Sequence, residues 1–268
     1  MNNTITRLIQ EYVKSYPREK ATHTLWETPL VAFARADDSR FLDLKQQVAP
    51  SHLLPLDLLP TARSVICYFL PFNRNITRSN GEGDEFCSDP WAFAYLETNQ
   101  LIQDLNDHLK TRLGMMGHES AVTPATHNFN PETLLSNWSH RHIAVIAGLG
   151  TLGLNRMLIT EKGCCGRLGS LVTSLVLTPS ESCADPACLY YYDQTCKKCL
   201  KSCPSQALEE ESFDRFRCYD HLLKNAELHR EKGWVDACGK CLTRLPCSFT
   251  DPGKKARQKL SNRDMSQK

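Results

Sequence analysis

The chain has 268 residues, of which 41% are hydrophobic and 23% are charged, and its formal net charge is +2 at pH 7. This balance excludes an intrinsically disordered protein, and the small net charge gives no broad attraction to nucleic acid or to an anionic membrane. The length suffices for one large core, or for a medium core with a small appended domain.

The first predicted element is an N-terminal helix, in which Ile5, Leu8, Ile9 and Val13 recur at helical spacing and form one apolar face. No segment has the apolar core of a signal peptide or the length of a membrane span. We therefore expect a cytoplasmic protein with no membrane partner. Because cytoplasmic thiols stay reduced, the 13 cysteines indicate metal binding rather than disulfides.

Residues 1–181 are predicted to form a domain of mixed helices and strands. The run ARSVICYFLPF predicts a buried strand, and the periodicity of Trp91–Gly114 predicts a long helix that ends at Gly114. The runs HIAVIAG and GSLVTSLVLTP predict further strands. The expected fold class is α/β or α+β, a sandwich with a helix layer on a sheet.

Residues 182–252 differ in composition, because they hold nine of the cysteines in a segment too short for an apolar core of its own. We expect metal ligation to supply much of the stability of this second domain. Residues 253–268 are predicted to be a solvated, frayed basic tail.

The cysteine-rich segment contains TCKKCLKSCP from Thr195, where the cysteines follow the C-x2-C-x3-C-P spacing of bacterial [4Fe–4S] sites. A second half-motif, CGKC, begins at Cys238. In two-cluster ferredoxins the cysteine before the proline binds the other cluster. This crossing rule predicts two sets of ligands, Cys188, Cys196, Cys199 and Cys247 for cluster one and Cys203, Cys218, Cys238 and Cys241 for cluster two.

Three alternatives accompany this assignment. Cys183 could replace Cys188 as the upstream ligand, although Cys188 is nearer in sequence. Two zinc sites would also use C-x2-C pairs, but the run that ends in Cys-Pro is an iron–sulfur spacing. A single cluster with additional structural thiols is the third alternative.

The segment AGLGTLGLN formally contains G-x-G-x-x-G at Gly148, Gly150 and Gly153. A dinucleotide site would also need an uninterrupted helix and an acidic residue about twenty positions on. Position 173 is a threonine, and the GCCG segment interrupts any helix. We interpret the glycines as a turn that allows close approach of the backbone to the core or to a ligand.

Several segments together resemble the epoxyqueuosine reductases over roughly residues 51–252: LLPTARSVICYFLPF, AGLGTLGLNRMLIT, GSLVTSLVLT and the paired cysteine motif. The resemblance extends to the related respiratory reductive dehalogenases. It implies a nitroreductase-like α+β sandwich that binds a corrinoid such as cobalamin, with a C-terminal ferredoxin-like domain of two [4Fe–4S] clusters. The corrinoid-binding residues that it implies are Gly148, Leu149, Gly150, Asn155, Gly163 and Gly169.

The chain also departs from that family. Epoxyqueuosine reductases carry a catalytic aspartate shortly before the glycine stretch, where this chain has PATHNFNPETLLSNWSHRHIAVI without an aspartate. The sequence ends about twenty residues after Cys247, before the helical-repeat domain with which those enzymes hold tRNA. We therefore do not expect tRNA as a partner, and we expect a short, divergent member of the family.

Other candidate chemical groups lie in the same segments. On the predicted strand, His140 and His142 would share a face, either as proton donors near neutral pH or as locally hydrogen-bonded groups. His127 is interpreted as stabilising a turn. The pair Cys164 and Cys165 is either a redox-active thiol pair or two inert, buried residues.

The sequence thus predicts an iron–sulfur oxidoreductase that passes electrons through two [4Fe–4S] clusters to a bound corrinoid for reduction of a small molecule. The electron donor would be a protein such as ferredoxin or flavodoxin. Two alternatives remain: an accessory protein that reduces or carries cobalamin as its substrate, and a two-cluster electron carrier without a corrinoid.

Overall fold

The computed structural model describes residues 1–124 and 126–266, with side chains as far as residue 259. Helices and strands alternate along the first two thirds of the chain, and short helices dominate the last third. Their bounds are α1 Asn2–Lys20, β1 Leu30–Arg35, α2 Arg40–Gln47, α3 Pro55–Leu58, β2 Ser64–Pro71, α4 Arg74–Glu82, α5 Asp89–Met115, β3 Ser120–Val122, α6 His140–Ile146, β4 Gly150–Leu152, β5 Leu158–Thr160, β6 Gly166–Thr173, α7 Leu189–Asp193, α8 Lys198–Lys201, α9 Arg215–Leu228 and α10 Pro252–Ser266.

The main sheet has four antiparallel strands in the order β1-β2-β6-β3. The central strand β2 is buried along its whole length, which explains why its sequence is a continuous apolar run rather than an alternating one. Alternate residues point to opposite faces of the sheet. Ile66 and Tyr68 pack with α1 and α5 on one face, while Val65 and Cys67 pack with α2 and α6 on the other.

Two of the predicted elements match the structure closely. The strand predicted from ARSVICYFLPF is β2, and the long helix predicted over Trp91–Gly114 is α5. This helix ends at Met115, one residue past the predicted end at Gly114. The glycine that takes up the left-handed backbone conformation after the helix is Gly117, with a φ of +81°. His118 N–H then donates to the Leu113 carbonyl at 2.9 Å and closes the helix end.

The strand predicted from HIAVIAG is wrong, since these residues form helix α6. Short apolar runs do not distinguish a buried strand from a buried helix, and here Ile143, Ala144 and Ile146 face the core at helical spacing. The strand predicted from GSLVTSLVLTP is correct only in its first part, because β6 ends at Thr173. The mixed fold of helices and sheet is confirmed, with helices on both faces.

The cysteine-rich segment consists of α7, α8, α9 and a 3-10 turn at Lys240–Leu242. In the part that the structure describes, its only β pairing is the isolated bridge between Leu208 and Phe213. The predicted frayed tail is wrong within the described residues, because α10 is helical to Ser266. Gly253 N–H donates to the Ala187 carbonyl at 3.0 Å, and a Cβ at Gly253 would meet the Pro186 carbonyl oxygen.

Candidate redox site

A small cavity beneath the cysteine-rich segment has four cysteines in its wall, together with apolar residues such as Leu154 and Ile159. The cysteines come from three places in the chain: the residue before α7, the loop before α8 together with α8 itself, and the segment after the 3-10 turn. They are Cys188, Cys196, Cys199 and Cys247, the set predicted for cluster one. We call this space the first cysteine cavity.

The lining of a second, larger cavity of about 430 Å³ includes Cys203, Cys218, Cys238 and Cys241, the set predicted for cluster two. The two cysteine groups are neighbours, since the charge of Cys199 contributes to raising the pKa of Cys241. Among the described residues, no three His, Cys, Asp or Glu side chains converge closely enough to hold a single metal ion. The cysteines instead line the two cavities, and their role as metal ligands stays a prediction.

Burial controls the protonation of these thiols. Desolvation raises the pKa of Cys199 and Cys218 to about 12 and that of Cys238 to about 11. Burial thus favours the neutral form of these three thiols when no metal is bound. Since metals bind thiolates, loading either site must release protons.

A partly buried arginine, Arg141, lies in the wall of the second cavity. Its Nη1 donates to the Arg156 carbonyl at 2.7 Å, and no carboxylate of the described residues lies within 4 Å of it. Burial lowers the pKa of Arg141, whereas the nearby Cys218 and Cys241 raise it. A buried cation without a carboxylate is costly unless another anion is present. A group of thiolates beside Arg141 would supply that anion.

The second cavity is also lined by aromatic rings, among them Phe69, Phe72, Trp91 and Trp138. These side chains come from β2 and the residue after it, from α5 and from the loop before α6. Trp138 is 1% exposed and its indole N–H donates to Ser170 Oγ at 3.0 Å, which fixes the ring. We call this part the aromatic cavity; its walls suit a planar, largely apolar molecule.

A chain of polar groups crosses the wall of the aromatic cavity. The Tyr95 hydroxyl donates a short hydrogen bond to Asp236 Oδ1, and His127 Nε2 lies 2.9 Å from Asp236 Oδ2. The His127 side chain is 45% exposed, whereas that of Asp236 is 6% exposed. Arg167 lies 4.5 Å from the centroid of the Tyr95 ring. These contacts connect solvent to a phenol inside the cavity.

Sequence reasoning missed Tyr95, Asp236 and Arg167. It found no aspartate before the glycine stretch, but Asp236 reaches the cavity from the cysteine-rich segment, two residues before Cys238. The signal in the sequence that could have identified Asp236 was its position two residues before the C-x2-C pair. His127 has a φ of +57°, as expected of a turn residue, but it also reaches Asp236.

The two histidines of α6 are buried or half-buried and hydrogen-bonded. His140 Nδ1 lies 2.8 Å from Ser170 Oγ, and its Nε2 lies 3.1 Å from the Pro124 carbonyl oxygen. His142 Nδ1 lies 2.7 Å from Ser139 Oγ. Burial lowers the pKa of each histidine to about 4. They do not share a strand face, and their contacts match the interpretation as locally bonded groups.

The six predicted corrinoid contacts do not line one cavity. Gly148, Leu149 and Gly150 border an open cleft, and Asn155 borders the first cysteine cavity. A Cβ at Gly163 would meet backbone atoms of Ser248 and Phe249, and one at Gly169 would meet the Tyr68 ring. The last two glycines therefore permit close packing within the protein. Contact of any of the six with a corrinoid stays a prediction.

Among the described helices, none is both long enough and apolar enough to cross a membrane.

Comparison with curated proteins finds epoxyqueuosine reductases. No protein-family model matches the sequence. The chain is 34% identical over 113 residues to the epoxyqueuosine reductase of Gloeobacter violaceus, which covers 38% of this chain and 34% of the relative. It is 27% identical over 204 residues to that of a Synechocystis species, which covers 69% of this chain and 62% of the relative. The chain therefore spans about one third of the length of the Gloeobacter violaceus relative and about three fifths of that of the Synechocystis relative.

Solved structures show the same fold. A selenomethionine-labelled epoxyqueuosine reductase aligns with a TM-score of 0.57 at 20% identity, over 91% of this chain and 66% of that chain. A catabolic reductive dehalogenase aligns with a TM-score of 0.57 at 16% identity, over 85% of this chain and 31% of that chain. The chain is thus similar in sequence to epoxyqueuosine reductases, and it shares the fold of an epoxyqueuosine reductase and of a reductive dehalogenase.

Proposed function

We propose that the protein is a reductase that binds two [4Fe–4S] clusters and a corrinoid, and that it reduces a small molecule. One observation carries the proposal: two sets of four cysteines line two neighbouring cavities, and aromatic rings line the second cavity together with its cysteines. Such an arrangement lets electrons pass from one buried site to the next and on to a bound organic cofactor.

The cysteines fit this role by number and chemistry. A [4Fe–4S] cluster takes four thiolates, and each cavity offers four cysteines apart from the additional Cys164 in the second. The ferredoxin-like character of the segment rests on this crossed pattern rather than on strands. Arg141 would offset the negative charge at the second cavity, so that the ligands there are held as thiolates at a lower cost.

The aromatic cavity would hold the corrinoid. Its rings provide flat, apolar contact surface, and the second set of cysteines lines the same cavity. When bound, the corrinoid supplies the electron-transfer and carbon-bond chemistry of the reduction, for which the protein provides binding, orientation and exclusion of water.

Reduction of an organic substrate also requires a proton, and the Tyr95–Asp236–His127 chain would deliver it. Burial raises the pKa of Tyr95, so the phenol holds its proton until a stronger base forms beside it. Asp236 accepts from Tyr95 on one oxygen and lies beside His127 on the other, which leads to solvent. Arg167, over the Tyr95 ring, would stabilise negative charge that develops there.

Partners follow from the electron path. The first cysteine cavity includes Cys196, which is partly exposed, so electrons from a donor such as ferredoxin or flavodoxin would enter there. The substrate would be a small molecule able to enter the aromatic cavity. A role on tRNA has no support in the described residues.

The test begins with anaerobic reconstitution of the purified chain. We expect about eight iron atoms per chain, and an EPR spectrum of added cob(II)alamin that loses the splitting from its axial nitrogen. The matched variants Trp138→Ala, in the cavity wall, and Trp234→Ala, at an exposed position, should respectively weaken and preserve that change. A spectrum equal to that of free cob(II)alamin would contradict the corrinoid site and leave a two-cluster electron carrier.

The proton chain has its own test. With any substrate that the wild-type protein reduces, Asp236→Asn should lower turnover by about 10²-fold, with unchanged iron content and cob(II)alamin spectrum. The exposed Asp220→Asn is the matched control and should turn over normally. Equal rates in both variants would remove Asp236 from the chemistry.

A further inference from the structure

The vicinal cysteines 164 and 165 lie in a turn that is tied to the end of the cysteine-rich segment. Cys164 N–H donates to the Cys247 carbonyl at 3.0 Å, and Cys165 N–H donates to the Ser248 carbonyl at 3.4 Å. Gly163 precedes them with a φ of +82°, and a Cβ there would come within 2.4 Å of backbone atoms of Ser248 and Phe249. This close backbone contact sets the position of both thiols.

The two thiols share one partner and differ in a second. Cys164 Sγ and Cys165 Sγ lie 3.8 and 3.2 Å from the Leu242 carbonyl oxygen, and Cys164 Sγ also lies 4.0 Å from Cys247 Sγ. Both side chains are almost completely buried, at 1% and 2% exposure. Cys164 also belongs to the wall of the second cavity, while Cys247 belongs to the first. The sulfur of Cys164 thus stands between the two cavities.

We infer that the thiol of Cys164 donates a hydrogen bond to the sulfur of Cys247 and thereby raises the reduction potential of cluster one. The inference rests on the proposed function, since it needs a cluster in the first cysteine cavity. Reduction adds negative charge to a cluster and its ligands, and a donor to a ligand sulfur stabilises that charge. Cys164 is therefore a positioning residue for cluster one.

Two other roles for Cys164 agree less well with the contacts. As a fifth candidate ligand it would compete with four cysteines that already line the first cavity. A disulfide with Cys247 would need the sulfurs to approach from 4.0 Å to about 2.05 Å. The backbone hydrogen bonds that tie residues 164 and 247 oppose that approach.

The test is an EPR-monitored redox titration of the reconstituted full chain. Cys164→Ala removes the donor and should lower the potential of one of the two clusters. At a fixed solution potential, its ratio of reduced to oxidised cluster should fall about three- to tenfold. Cys164→Ser keeps a donor and should stay close to the wild type. Cys165→Ala is the matched control, because its thiol faces a carbonyl, and it should shift neither cluster.

Each other outcome overturns the inference. Equal potentials in the wild type and Cys164→Ala, with full iron content, would mean that no such hydrogen bond matters. Equal shifts in the two alanine variants would indicate packing alone, and loss of a cluster in Cys164→Ala would make Cys164 a ligand. If the alanine variant does not fold, Cys164→Val fills the volume without a donor and is read in the same way. Absence of clusters from the wild type would instead overturn the proposed function itself.

Discussion

The two regions of the molecule are held together by different means. Around the sheet, buried aliphatic and aromatic side chains form continuous cores on both faces, and strand β2 has no exposed residue. In the cysteine-rich segment helices α7 and α8 have five and four residues, and α7 has no buried residue. The segment buries apolar side chains such as Val235 and Leu242 against α5, so its apolar contacts are mostly with the first region. The comparison teaches that the first region can fold by apolar burial of its own, whereas on the proposed function the second also needs metal ligation.

The largest expected effect tests that dependence. Cys199→Ser should cost the protein one whole cluster, about four iron atoms, and should leave residues 182–252 open to proteases while the sheet region stays folded. The physical reason is that, on the proposed function, ligation adds to the few apolar contacts that hold this segment. Limited proteolysis with mass spectrometry and an iron assay would measure both effects.

The control for that variant is Cys183→Ser, because Cys183 is exposed and lies outside both cysteine cavities. It should keep the iron and the protease resistance of the wild type. Equal protease resistance in Cys199→Ser and the wild type would show that metal does not stabilise the segment, and the contrast between the two regions would disappear.

The reverse experiment changes the apolar core. Ile66 is 0% exposed in the centre of β2, so Ile66→Ala should lower the free energy of unfolding of the sheet region by about 2–5 kcal/mol. Urea unfolding followed by circular dichroism measures the change. Val176→Ala, at a residue that is 72% exposed, is the control and should change the stability little. A larger effect of the exposed variant would refute the burial argument.

A smaller effect depends on pH and concerns His140, a buried group of the sheet region. The pKa of His140 is about 4 in the folded chain, below its ordinary value of 6.5, chiefly because the ring is buried. The unfolded chain therefore binds more protons below pH 6.5, and the free energy of unfolding should fall as the pH drops from 6.5 to about 4. The loss attributable to His140 is on the order of 3 kcal/mol.

Urea titrations at several pH values would measure this slope for the wild type and for His140→Gln. The variant loses the titrating ring, so its stability should vary less over the same pH range, whatever its stability at pH 7. Equal slopes for the two proteins would contradict the assignment of His140 as a buried neutral histidine.

The sequence predicted those features that depend on local pattern. An uninterrupted apolar run predicted β2, helical periodicity predicted α5, and cysteine spacing predicted which cysteines would lie near one another. It failed for α6, because seven residues are too few for periodicity to separate helix from strand. It also failed for α10, whose packing depends on Gly253 approaching the backbone of residues 186 and 187.

The proton chain could not be predicted for a different reason. Tyr95 and Asp236 are 141 positions apart, and only the docking of the cysteine-rich segment against α5 brings the hydroxyl and the carboxylate together. Neither residue stands in a motif of its own. Long-range contacts of this kind leave no periodic signal in a single sequence.

The position of Asp236 has a consequence for maturation. Its carboxylate is attached to the segment that the cysteines would anchor, while Tyr95 and His127 belong to the part of the chain that folds around the sheet. On the proposed function, a newly made chain without metal lacks an ordered acid as well as an electron path. Such a chain can neither protonate nor reduce a substrate. Protonation and reduction would therefore both begin only after the clusters have been assembled.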